Sequence, residues 1–197
     1  MKLVVGLGNP GIEYMWTRHN AGQIILSSIV EKLYLGQPKN NFQGSFWETF
    51  FEGQKIGLLF PHTFMNLSGL AVAEAVNFYK LTADDILIIS DEVALSFGRI
   101  RLRKTGSAGG QKGLASILGA LGTFDICRLR IGIGTPISTT EKKINLSSWV
   151  LGKFPKEQQE IFPILQSACF DVFKLWVRGE IDLAMNLANN YRNEKTN

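Results

Sequence analysis

The sequence predicts an α/β fold: a single-domain, three-layer sandwich over residues 1–197, with a mixed, largely parallel central sheet flanked by helices. Three observations lead there. Short apolar runs and helical periodicities succeed one another along the whole chain. Of the 197 residues, 45% are hydrophobic and only 19% charged, a composition that fills a core rather than a disordered tail. No internal repeat, linker or low-complexity stretch divides the chain, and its length suits one compact unit.

The elements follow in order. Leu3 to Leu7 is an apolar run that stops at a Gly/Pro-rich turn, as a buried strand does. From Asn20 to Tyr34, Ala21, Ile24, Ile25, Ile29 and Leu33 recur at helical spacing, and Gly36 and Pro38 end the pattern. Phe46 to Phe51 and Lys55 to Phe60 predict a hairpin around Glu52-Gly53. Asn66 to Lys80 predicts a second helix, with Leu67, Leu70, Ala71, Ala75 and Phe78 turned inward.

Ile86 to Ile89 predicts a buried strand ending at Ser90-Asp91-Glu92. Arg99 to Arg103 and Arg128 to Ile133 alternate apolar and basic residues, so each predicts a strand with one greasy and one cationic face. Gly109 to Leu121 reads as a Gly-opened helix. Two helical patterns fill Pro155 to Tyr191, split near Gly179, with Pro163 delimiting or kinking the first.

Charge is unevenly placed. The net charge is +4, yet Arg99, Arg101, Arg103, Lys104, Lys112, Arg128 and Arg130 fall in one stretch whose single acid is Asp125. A local basic face favours a polyanionic partner. Cys127 and Cys169 are far apart and match no metal or disulfide spacing. The first apolar run is too short for a signal peptide, and no stretch is long enough to span a bilayer. These features predict a soluble, cytoplasmic protein without a membrane contact.

Five segments can carry chemistry. Gly6-Leu7-Gly8-Asn9-Pro10-Gly11 fits the dinucleotide-binding pattern, a match that has little specificity alone. Bulky residues from Ile12 to His19 follow it without an apolar helical stripe, and Glu31, at ribose-binding distance, lies inside a helix pattern. The plainer reading is a Gly-rich turn with no ligand. His19 suits a general base, or an ordinary structural histidine. Asp91, at a strand end, could orient a histidine ring or simply cap a turn. Asn66 could hold a substrate backbone or cap the helix that follows. The small-residue run Thr105 to Gly113 could cradle phosphate at a helix start or be a plain surface loop.

Together these segments resemble the bacterial-type peptidyl-tRNA hydrolases. The residues that carry the resemblance are Gly6 to Gly11, Tyr14, Thr17-Arg18-His19-Asn20-Ala21-Gly22 and Phe64-Met65-Asn66-Leu67-Ser68-Gly69. Asp91-Glu92, the loop before Gly113-Leu114, Arg128 to Gly134 and Val150-Leu151-Gly152-Lys153-Phe154 continue it in the family's order. The resemblance implies a monomeric α/β enzyme that cleaves the ester of peptidyl-tRNA without a metal or cofactor and without an obligate protein partner. By residue match, His19 is the base that activates water and Asp91 orients it. Asn9 and Asn66 hold the peptide, Tyr14 lines the site, and Arg103 and Arg130 meet tRNA phosphates.

The chain departs from the family where Gly110-Gln111-Lys112-Gly113 replaces the usual Gly-His-Asn-Gly, so an amide of the substrate site is missing. Ser90 replaces a frequent histidine, Ala94 a common acid, and Leu95 to Gly98 lacks the usual prolines. Lys112 is then expected to serve substrate binding through its charge. The competing reading is a non-catalytic RNA-binding protein on the same fold.

Overall fold

The computed structural model describes residues 1–136 and 145–192. In chain order its elements are β1 (Lys2–Gly6), α1 (Ala21–Lys32), β2 (Lys39–Asn41), β3 (Gly44–Phe51), β4 (Gln54–Pro61), α2 (Ser68–Tyr79) and β5 (Ile86–Glu92). Then come β6 (Ile100–Arg103), α3 (Lys112–Leu121), β7 (Cys127–Gly132), α4 (Leu146–Leu151), α5 (Lys156–Gln159), α6 (Phe162–Val177) and α7 (Ile181–Asn190). Among the described residues the seven strands form one sheet in the order β2-β3-β4-β1-β5-β7-β6. The four central strands β4, β1, β5 and β7 are parallel neighbours. Antiparallel pairing at β3 and β6 flanks them, so the sheet is mixed with a parallel centre.

Period-2 side chains split the core into two. Val4, Leu87 and Ile89 face α1, α6 and α7, and Leu3, Val5, Ile86 and Ile88 face α2 and α3. The sheet is therefore apolar on both faces and covered on both, which gives the three layers. The β3–β4 turn places Glu52 and Gly53 at φ 50° and 79°, the paired left-handed residues that a two-residue hairpin needs. Pro163 sits in the first turn of α6 and starts that helix without kinking it, and Gly179 at φ 80° separates α6 from α7.

Two expectations are corrected. In α2 the inward face is Ser68, Gly69, Ala71, Val72 and Ala75, whereas Leu67, Leu70 and Phe78 are exposed. The cause is close packing on α3: a Cβ at Gly69 would stand 2.3 Å from the Ser116 carbonyl oxygen, so the contact demands small residues. The second concerns Arg128, which does not join a cationic face. It is 0% exposed and donates to the carbonyls of Ile126, Phe124 and Gly106. A guanidinium offers five donors, and here they satisfy backbone acceptors of the turns on either side of α3. Beyond these, the short strand β2 and the helix α4 lack an apolar periodicity in the sequence.

Candidate active site

The site forms where the parallel strands end, the usual place for ligands in open α/β sheets. β5 outruns β1: Gly6 pairs with Ile89, and Asp91 lies two residues further on. After β1 the chain turns through Asn9. A 3-10 turn at Arg18–Asn20 then leads into α1 and carries His19. The helix can press this close to the sheet only because of Gly22, where a Cβ would meet the Ile89 carbonyl oxygen at 2.1 Å. The turn is fixed from the other side as well. Arg18 N–H donates to the Gly152 carbonyl at 2.9 Å, and the Arg18 guanidinium lies 3.8 Å over the Trp149 ring of α4.

This placement brings His19 Nδ1 to 3.0 and 3.1 Å from the two oxygens of Asp91. Both residues are buried, 8% and 4% exposed. An ionised carboxylate only accepts, so Nδ1 carries the hydrogen and Nε2 keeps a lone pair. Among the described residues Nε2 has no protein partner, and His19 lines a cavity of about 420 Å³.

Asn9 and Asn66 line the same cavity, as do Lys112, Phe64 and Met65. Leu146, Val150 and Leu151 of α4 line it as well. Asn9 is held by Asn20: its N–H donates to Asn20 Oδ1 at 2.9 Å, and its carbonyl accepts from Asn20 Nδ2 at 3.0 Å. Its Oδ1 accepts from Met65 N–H at 2.9 Å, which leaves the Asn9 amide N–H groups for a ligand. Asn66 is exposed in the 3-10 turn Met65–Leu67, and neither that turn nor α2 takes a side-chain cap, so capping does not account for it. Lys112 is exposed at the first residue of α3.

Tyr14 is half-buried in its own 3-10 turn and is not part of the cavity wall. Arg103 is exposed on β6. Arg130 is tied to Glu92 at 2.7 Å and to the Ser107 carbonyl at 3.0 Å, bracing the small-residue loop. Two glycines of the dinucleotide-like motif, Gly6 and Gly8, face α1, and exposed Gly11 takes a positive φ of 116°. A Cβ at Gly6 would meet Leu26 at 2.5 Å, and one at Gly8 would meet Asn20 at 3.0 Å. Gly6 and Gly8 serve close packing of α1, and the cofactor reading of that motif is set aside. Among the described residues no three His, Cys, Asp or Glu side chains gather where a metal ion could sit.

Sequence reasoning noted Gln111 only as a departure from the family and gave it no role. Its Oε1 accepts from Leu114 N–H and caps α3, and its Nε2 donates to Asp91 Oδ1 at 3.0 Å. The available signal was a polar residue at the opening of the helix after Gly109-Gly110.

Comparison with known proteins agrees with this geometry. Residues 3–196 match the model of the family described as peptidyl-tRNA hydrolase. The chain belongs to the peptidyl-tRNA hydrolase family. A peptidyl-tRNA hydrolase of Rhodopirellula baltica is 45% identical over 190 residues, covering 96% of this chain and 97% of the relative. One from Desulfitobacterium hafniense is 43% identical over 190 residues, covering 96% and 100%. The crystal structure of the peptidyl-tRNA hydrolase from Acinetobacter baumannii superposes with a TM-score of 0.88 at 39% identity, covering 98% of this chain and 96% of that one. Family membership thus covers nearly the whole chain, and no helix among the described residues is long and apolar enough to cross a membrane.

Proposed function

We propose that this protein hydrolyses the ester bond joining peptide to tRNA in peptidyl-tRNA, with His19 as the base. The observation that carries this reading is the buried His19–Asp91 pair at the wall of a cavity, in a chain of this family. Asp91 fixes the ring so that Nε2 accepts a proton from a water molecule. The resulting hydroxide attacks the ester carbonyl carbon. The Asn9 amide N–H groups stabilise the oxygen that becomes negative, since their own carbonyl is already held by Met65. Collapse breaks the bond to the ribose oxygen, which leaves with the proton that His19 returns.

Asn66 holds the peptide together with Asn9. Lys112, where the family usually has an amide, binds through its charge to a phosphate or to the developing oxyanion. Arg103 meets the tRNA backbone, and Arg130 adds positive charge while holding the loop before α3. The protein works as a single-domain monomer in the cytoplasm.

The test is hydrolysis of a purified N-acetyl-aminoacyl-tRNA by the wild type and by His19→Ala, with free aminoacyl-tRNA as control. Cleavage of the blocked substrate alone, lost in the variant, is the expected result. Tight tRNA binding without cleavage by the wild type would replace this reading with RNA binding.

A further inference from the structure

Gln111 is a buried polar side chain beside the His19–Asp91 pair that has no part in the proposed reaction. Gln111 is 9% exposed and bonded on both sides of its amide. Oε1 accepts from Leu114 N–H at 2.6 Å, and this fixes which way the amide points. Nε2 then faces two acceptors, Asp91 Oδ1 at 3.0 Å and Met65 Sδ at 3.2 Å. Asp91 presents both of its oxygens almost equally to His19, so His19 alone sets the carboxylate's twist weakly. A second donor on Oδ1 sets it from the opposite side.

We propose that Gln111 is a positioning residue for the reaction: it locks the plane of Asp91, and through Asp91 the ring of His19, to the first turn of α3. The inference rests on His19 being the base. The task needs one planar group with an acceptor at one end, for the helix N–H, and a donor at the other, for the carboxylate. A carboxamide has that pattern, and so does a neutral imidazole. A serine can cap the helix but is too short to reach Asp91. A glutamate keeps the shape and the cap but sets a second carboxylate against the first. Gly113 makes the arrangement possible, because a Cβ there would stand 2.4 Å from Met65 Sδ and 3.1 Å from Gln111 Oε1.

The experiment measures kcat and KM on N-acetyl-aminoacyl-tRNA for wild type, Gln111→Ser, Gln111→Glu, Gln111→His and His19→Ala, with thermal unfolding of each. Gln111→Ser is expected to unfold near the wild-type temperature, with kcat lower by roughly tenfold, the value of one hydrogen bond to a charged group, and KM changed less than about twofold. Gln111→Glu loses more, and Gln111→His regains most of the loss. Wild-type kcat in both Gln111→Ser and Gln111→Glu overturns the proposal, as does a kcat loss that tracks unfolding and is not regained with histidine. An inactive wild type rejects the function itself instead, and a fully active His19→Ala rejects His19 as the base. In that event ring-nitrogen NMR still decides on Gln111, since His62 is the chain's only other histidine. The wild type should hold His19 as the Nδ1–H tautomer and Gln111→Ser should average the two forms. Identical spectra end the proposal.

Discussion

Asp91 is the residue on which the site converges. It lies at the end of β5, takes donors from the Arg18–Asn20 turn and from α3, and is almost fully enclosed. Asp91→Asn keeps the shape but offers an amide N–H where an acceptor is needed, which favours the wrong histidine tautomer. On the proposed mechanism, kcat falls by about a hundredfold or more while tRNA affinity holds, because the change is confined to a group the tRNA does not touch. Unchanged turnover in single-turnover kinetics would remove Asp91 from the mechanism. Lys112 is the opposite case. It is exposed and lies at the cavity rim, so Lys112→Ala should act through charge. A severalfold rise in KM that shrinks as salt is added supports its role at phosphate, and no change in KM or kcat excludes it.

At the scale of elements, two contacts decide how the site is held. The first is the approach of α1 to the sheet at Gly22. Gly22→Ala forces the helix away from Ile89, and overpacking of this kind costs about 1–3 kcal/mol. Because His19 is in the turn that leads into α1, activity should fall more than stability alone predicts. Urea unfolding combined with activity at a temperature where the variant is fully folded separates the two effects. The second contact is Arg128. Its like-charged partner across the β6–β7 pair is Arg103, which is exposed where Arg128 is buried. Arg128→Met removes the guanidinium donor from the buried carbonyl of Ile126, at about 1–3 kcal/mol if that acceptor is left unsatisfied, whereas the Phe124 carbonyl keeps the Gly106 N–H at 3.3 Å. Arg103→Ala should leave stability unchanged and reduce the salt dependence of tRNA binding by about one phosphate contact. If both variants affected only binding, the structural assignment of Arg128 would be wrong.

For the whole molecule, the thiols report on integrity. Cys127 and Cys169 are free and buried. Burial pushes the Cys127 thiol from 9.0 up to about 12, and the Cys169 thiol up as well. The native state therefore holds these protons more tightly than the unfolded chain does. The resulting stability is complete below about pH 9 and is lost as pH climbs toward 12. Tyr79, raised to about 12 by burial and by its bond to Glu48, works in the same direction. The urea midpoint should drop between pH 9 and 11, and Cys127→Ala with Cys169→Ala should drop less. An aromatic disulfide reagent at pH 8 should label neither thiol until the protein unfolds. Rapid native labelling would mean that the core between the sheet and α1, α6 and α7 opens locally.

The apolar runs at β1 and β5, the helix at Ala21–Lys32, the hairpin turn at Glu52-Gly53 and the proline at the start of α6 were all readable from the sequence, because each depends on neighbours within a few residues. The ordered motifs also picked out His19 and Asp91 through the family resemblance, without any knowledge of their distance. Four features came only from tertiary structure: the contact between those two residues across 72 positions, the second bond to Asp91 from Gln111, the burial of Arg128, and the small-residue face of α2. The reason is physical. Periodicity records which side of its own element a residue occupies. What that side meets depends on strand register and on how closely helices approach the sheet, and those are set by glycines and by pairings distant along the chain.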